Sequence, residues 1–210
     1  MNLTMLIKQF PLIAVLRGVT PQQVSDVAKI LIAANFVCIE VPLNSPEPFT
    51  SIDLLRQQFG KQVLIGAGTV WKTQQLLQAK QAGAQMIVMP HCDTQLIQLA
   101  KKEGLICLAG IMTPSEAFSA IIAGADGLKL FPSEMITPSA IRAMKVVLPQ
   151  DMPLIAVGGI TPEKLLAYYQ AGCMGFGLGS ALFKTTFSLK QIEQNALTFQ
   201  KSWLNAKNSG

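Results

Sequence analysis

Short runs rich in Val, Ile, Leu and Ala recur along the chain at 12–17, 36–42, 63–66, 85–90, 105–110, 127–131, 153–158 and 174–179. Their starts are separated by 24, 27, 22, 20, 22, 26 and 21 residues. Each interval is long enough for a helix with its turns, and several helices open on a polar cap followed by proline: Thr20-Pro21, Thr113-Pro114 and Thr161-Pro162. These starts predict helices over 22–34, 115–123 and 163–171, and Gly83, Gly104, Gly124 and Gly172 supply helix stops. Strands buried on both faces of a parallel sheet read as continuous apolar runs, as these do. Eight βα units of this size predict an α/β fold, a (β/α)8 TIM barrel. The segment 3–10 adds a short helix before the first strand, 189–204 a last helix, and only 205–210 looks loose. A doubly wound open sheet uses the same alternation. It would be favoured by Gly-x-Gly-x-x-Gly after the first strand, where this chain has Arg17-Gly18-Val19-Thr20.

A length of 210 residues suits one domain over 1–210, and 50% hydrophobic against 14% charged residues describes a chain with much buried strand. The net charge of +5 comes from scattered residues with no basic run, which favours an anionic small molecule over nucleic acid. No stretch is long enough to span a bilayer, and Lys8 and Pro11 interrupt the apolar start, so neither membrane insertion nor a signal peptide is expected. Cys38, Cys92, Cys107 and Cys173 form no Cys-x-x-Cys pair. They read as packing residues of a cytoplasmic protein without a metal site. The one histidine, His91, has no evident acid–base relay in sequence.

Active-site groups of a barrel gather at the carboxyl ends of its strands, and there this chain carries Arg17, Glu40, Thr69, Pro90 and Lys129. Lys129 interrupts the apolar run Asp126-Gly127-Leu128-Lys129-Leu130-Phe131. Desolvation lowers a lysine's pKa and supplies the neutral amine that attacks a ketone, so a Schiff-base role is open. A strand-end lysine whose head reaches water is the plain alternative. Alternation along strands turns Gly127, Lys129 and Phe131 inward together, and likewise Cys38, Glu40 and Pro42. Glu40 is then either an acid–base group or the partner of a structural ion pair with Arg17 or Lys129. Thr69, in Gly66-Ala67-Gly68-Thr69-Val70, either caps a turn or offers its hydroxyl to a carboxylate or water. The loops after strands seven and eight, Gly158-Gly159 and Gly177-Leu178-Gly179-Ser180, are glycine-rich. They read as tight turns or as a phosphate site built from backbone N–H groups.

Taken in order, Leu16-Arg17-Gly18, Ile39-Glu40-Val41-Pro42-Leu43-Asn44-Ser45-Pro46, Gly66-Ala67-Gly68-Thr69-Val70, Leu128-Lys129-Leu130-Phe131-Pro132, Val157-Gly158-Gly159-Ile160-Thr161-Pro162 and Gly177-Leu178-Gly179-Ser180 resemble the class I aldolases of 2-keto-3-deoxy-6-phosphosugar acids. The resemblance runs from about residue 11 to the carboxyl end. It implies a homotrimer that splits a phosphorylated 2-keto-3-deoxy sugar acid into pyruvate and glyceraldehyde 3-phosphate, with no cofactor. Lys129 would form the imine and Glu40 would shuttle protons. Arg17 and Thr69 would hold the pyruvyl carboxylate, and Phe131 and Pro90 would pack on the pyruvyl unit. Gly158, Gly159, Gly179 and Ser180 would form the phosphate end. Family members with gluconate-type substrates carry arginine at the position of Asn44 and threonine at that of Val157, so these two residues favour the galactonate branch, with Val157 sensing C4. The chain departs from the family pattern at Ala109, where proline is usual, and at His91; both are expected to flank the pocket.

Two other functions fit the residues. An isomerase or epimerase using Glu40 as base would keep the phosphate loops and need no nucleophilic amine. A silent sugar-phosphate binding protein would bind without turnover, although no output domain is recognisable.

Overall fold

In the computed structural model, which describes residues 3–208, the strands close into a parallel barrel ordered β1 to β8. The strands are β1 (Leu12–Val15), β2 (Cys38–Pro42), β3 (Leu64–Gly68), β4 (Met86–Val88), β5 (Ile106–Ile111), β6 (Gly127–Leu130), β7 (Leu154–Val157) and β8 (Gly175–Leu178). Helix α1 (Leu3–Gln9) precedes β1. Each strand is then followed by a helix: α2 (Pro21–Ala33), α3 (Pro48–Phe59), α4 (Thr73–Gln81), α5 (Thr94–Lys102), α6 (Pro114–Ile122), α7 (Pro138–Val147), α8 (Leu165–Gln170) and α9 (Leu189–Asn208). Closure is made by β1 against β8, with Leu12 opposite Phe176 and Ala14 opposite Leu178. An open doubly wound sheet leaves that pair of edges apart, so the barrel expectation holds.

Two apolar layers follow from strand alternation. Ile13, Cys38, Leu64, Met86, Val88, Leu108 and Ile155 fill the lumen, while Ile39, Val41, Leu128 and Leu130 pack outward beneath the helices. Leu3 and Ile7 of α1 join the lumen cluster. They close the amino end of the barrel, each contributing about 1.5–3 kcal/mol of burial. The lumen is therefore reached from the carboxyl ends of the strands.

Local chemistry explains the helix starts only in part. Thr113 makes the full capping box with Glu116, whereas Thr20 and Thr161 make no side-chain cap bond. The helix expected over 163–171 begins as a 3-10 turn, Pro162–Lys164, and becomes α-helical at Leu165. Gly104 takes φ +74 with nothing near the place of a β-carbon, so its lack of a side chain serves backbone conformation alone. The expectation of a loose end at 205–210 needs correcting. Helix α9 continues to Asn208, because Trp203 and Ala206 are buried against the barrel and draw the last turn down; residues 209–210 lie outside the described residues. Among the described residues no helix is long and apolar enough to cross a membrane, and no group of three or more His, Cys, Asp or Glu side chains could hold a metal ion.

Candidate active site

Lys129 on β6 and Glu40 on β2 are both inside the barrel, 4% and 3% exposed. Burial lowers the Lys129 amine below its ordinary pKa; Glu40 opposes that and Arg17 adds to it. Burial raises the Glu40 carboxyl, against the attraction of Lys129 and Arg17. In both groups desolvation outweighs attraction. The ion pairs found among the described residues lie elsewhere, at Lys29–Asp26, Lys80–Glu103 and Lys101–Asp126. Lys129 and Glu40 therefore influence each other through space without a direct pair. The amine nitrogen instead sits 4.5 Å from the centroid of the Phe131 ring, which lies one residue beyond the end of β6.

Glycine makes the room for the carboxylate. A β-carbon built on Gly68 would lie 2.5 Å from Glu40 Oε1 and 2.9 Å from its Cδ. Thr69, next in the chain, holds φ +59, a left-handed conformation costly for a branched residue and most often kept where function requires it.

The loops after β1, β2 and β3 meet at Arg17. Its Nη1 donates to Asn44 Oδ1 at 2.5 Å and to Thr69 Oγ1 at 3.5 Å. The Gly18 N–H donates to the buried Ser45 hydroxyl at 2.9 Å, which ties the first two loops together beside that contact. Pro90, after β4, packs its backbone against Gly110, the residue opposite Lys129 in the β5–β6 register.

A cavity of about 500 Å³ is lined by Arg17, Phe131, Val157, Gly158, Gly159, Gly179 and Ser180, while Lys129, Glu40, Thr69 and Pro90 do not reach its wall. Val157 lines the cavity beside Gly158 and Gly159, and its Cγ2 would lie 2.8 Å from a β-carbon on Gly177. Among the described residues no carboxylate lines this cavity, but a second cation does. Lys184 borders it with Phe183, Thr185 and Thr186, all in the loop after β8. Sequence reasoning passed over these four residues. The one signal was a lysine four positions beyond Ser180, and its approach depends on the turn in which the N–H groups of Leu182 and Phe183 donate to Gly179 O. Thr185 then sits against Gly18, where a β-carbon would meet its Cγ2 at 2.9 Å.

Two expected neighbours of the pocket are elsewhere. His91 borders a separate surface hollow with Cys92, Asp93 and Glu116. Ala109 is an outward residue of β5, fully buried under the helices rather than facing the lumen. The expectation that they flank the pocket fails because β4 ends at Val88, so His91 lies out on the rim, and because Ala109 has the outward parity of its strand.

A family model for KDPG and KHG aldolases matches residues 3–198. The chain belongs to that family. It is an aldolase, a carbon–carbon lyase of the class I type, and the lysine, carboxylate and cavity are to be understood in that setting. The chain is 42% identical to the 2-dehydro-3-deoxy-6-phosphogalactonate aldolase of Escherichia coli strain K12, over 94% of this chain and 97% of that one. It is 41% identical to a probable enzyme of the same name from Rhizobium meliloti strain 1021, over 89% and 88%. Among solved structures, native KDPGal superposes with a TM-score of 0.93 at 42% identity, covering 95% of this chain and 97% of the other. The KDPG aldolase structure from Zymomonas mobilis ATCC 29191, at 23% identity and a TM-score of 0.86, shares the fold.

Proposed function

We propose that this aldolase cleaves 2-dehydro-3-deoxy-6-phosphogalactonate to pyruvate and D-glyceraldehyde 3-phosphate through an imine on Lys129. The observation that carries the proposal is a buried amine of lowered pKa sharing a lumen with a buried carboxyl of raised pKa, the amine 4.5 Å from the ring of Phe131, which also lines a cavity rimmed by glycine loops.

The neutral Lys129 nitrogen adds to the C2 ketone, and loss of water leaves an iminium ion. Glu40, ionised at that stage, takes the proton of the C4 hydroxyl. The C3–C4 bond breaks, its electron pair passing into the iminium to give an enamine while C4 becomes the aldehyde carbon of glyceraldehyde 3-phosphate. Proton return to C3 and hydrolysis of the imine release pyruvate and restore the amine. A carboxyl raised by burial suits both directions of this transfer near neutral pH. The imine is the electron sink, so the route calls on no metal or cofactor.

Arg17 fits the substrate carboxylate, because Asn44 and Thr69 hold its guanidinium at the mouth. Phe131 and Pro90 give the pyruvyl unit apolar walls. Gly158, Gly159, Gly179 and Ser180 suit the phosphate, and Lys184 supplies a charge that backbone donors lack. Asn44, Val157 and the names of the relatives favour the galactonate epimer, with the gluconate epimer as the second reading. A homotrimer is part of the proposal, and the exposed Phe118 and Ile122 of α6 with Val146 and Val147 of α7 offer apolar surface for it. So is a cytoplasmic location, which four unpaired cysteines fit.

Two assays test the proposal. Borohydride reduction in the presence of pyruvate should fix the adduct mass on Lys129; a label on another lysine, or none, refutes the assignment. Pyruvate release from the two C4 epimers side by side should favour the galactonate form. Preference for the gluconate form would keep the mechanism and overturn the branch.

A further inference from the structure

Glu134 has no part in the chemistry above, yet it touches the loop assigned to the phosphate. It lies in the 3-10 turn Ser133–Met135 that follows β6. A β-carbon built on Gly159 would have Glu134 atoms as its three nearest neighbours: Cγ, Oε1 at 2.6 Å and Cδ at 2.7 Å. One built on Gly158 would meet Glu134 Oε2 at 3.0 Å, the Ser133 nitrogen at 3.3 Å and Pro132 Cα at 3.4 Å. Both glycines are left-handed, at φ +106 and +60. Side chains are therefore missing at 158 and 159 on the face that the segment 132–134 occupies.

That segment is itself anchored. The Tyr168 hydroxyl donates to Ser133 O at 2.8 Å, and the fully buried Ser133 hydroxyl donates to Leu130 O at 3.2 Å. On the loop, Lys164 Nζ donates to Gly159 O at 2.7 Å. The glycine turn is thus gripped by Glu134 and by Lys164, while Gly158 and Gly159 also line the cavity. Electrostatics alone would not place an acid there, since a carboxylate repels a nearby phosphate. Shape accounts for it, because the Glu134 side chain fills the space over two residues without side chains and keeps their backbone in the turn that an anion nest needs.

We propose that Glu134 is a positioning residue that braces the Gly158–Gly159 turn through its shape, and that the affinity of this site for the substrate phosphate depends on the brace. The proposal rests on the assignment of these loops to the phosphate.

Steady-state kinetics on the phosphorylated substrate and on the same keto-deoxy acid without phosphate test it, in Glu134→Ala and Glu134→Gln, with thermal melts alongside. Glu134→Ala should raise KM for the phosphorylated substrate about tenfold, the loss of roughly one hydrogen bond to a charged group, with kcat retained. The unphosphorylated acid should show no such change. Glu134→Gln, of equal shape, should restore the lower KM. An unchanged KM in Glu134→Ala, an equal loss with both substrates, or a Gln variant as poor as the Ala variant would each overturn the proposal. Urea unfolding reads the contact without substrate: the stability lost in Gly159→Ala should be partly regained when Glu134→Ala is added, and no regain also overturns it. If wild type showed no preference for the phosphorylated acid, the phosphate assignment would fall instead, with the unfolding comparison still reporting on the contact.

Discussion

Replacing Gly68 by alanine places a methyl group where the Glu40 carboxylate now lies. The new β-carbon would be 2.5 Å from Oε1, whereas ordinary contact begins at 3.4 Å, so the carboxylate must retreat by about 0.9 Å. Displacements of about 1 Å in a reacting group cost about a hundredfold in rate, and crowding a packed interior costs about 1–3 kcal/mol of stability. The expected result is a folded Gly68→Ala enzyme whose kcat is down about a hundredfold, with KM little changed. Gly66→Ala is the matched control, since it sits two residues earlier on the same inward face. Its β-carbon would meet the flexible end of Met86, Cε at 2.7 Å, and no part of Glu40 is among its three nearest atoms. It should lose stability and keep most of its turnover. Turnover and urea unfolding, measured on both variants, decide the matter. A Gly68→Ala enzyme with wild-type kcat, or a Gly66→Ala enzyme equally impaired, would refute the idea that Glu40 works from the position seen here.

Glu40→Gln should lower turnover by about 10²- to 10⁴-fold, as loss of a general acid–base group does. It should also stabilise the protein at neutral pH. The folded-state pKa is raised above 4.5, so wild type loses stability as pH climbs from 4.5 through the raised value, and the variant does not. A Gln variant less stable than wild type at neutral pH, in urea titrations across that window, would contradict this sign. Lys184→Ala should raise KM for the phosphorylated substrate about tenfold and weaken its salt dependence; an unchanged KM removes Lys184 from the site. Asn44→Arg with Val157→Thr should move the ratio of kcat/KM for the two C4 epimers toward gluconate by about tenfold, and a ratio that stays put removes both residues from the specificity account.

The number and order of the strands were legible because each is an apolar run between helix signals, and closure followed from the count. Strand ends were not. Glycine reads as a turn, so the third strand was expected to stop at 66, yet it stays paired with β2 through Gly68, and its glycines leave room in the lumen for Met86 and Glu40. The polar tail read as loose, since the periodicity that buries Ala206 spans too few residues to register. In the site, parity along a strand placed Lys129, Phe131, Cys38 and Glu40 inward. Parity has no counterpart in loops. The contact of Asn44 with Arg17, the approach of Lys184 to the cavity and the packing of Glu134 on Gly159 all depend on how loops from different strands fold over one another.

Helix α1, by sealing the amino end with Leu3 and Ile7, makes the lumen a well with one entrance. Under the proposed chemistry this sets the order of traffic. The phosphate end of the substrate stays at the rim while its keto end reaches the lysine below, so the aldehyde fragment leaves before the enamine is protonated and the resulting imine is hydrolysed. In the reverse direction pyruvate must enter first and the aldehyde must close the opening above it. A floor built of two aliphatic side chains thus leaves the order of product release to be set at the opposite end of the barrel.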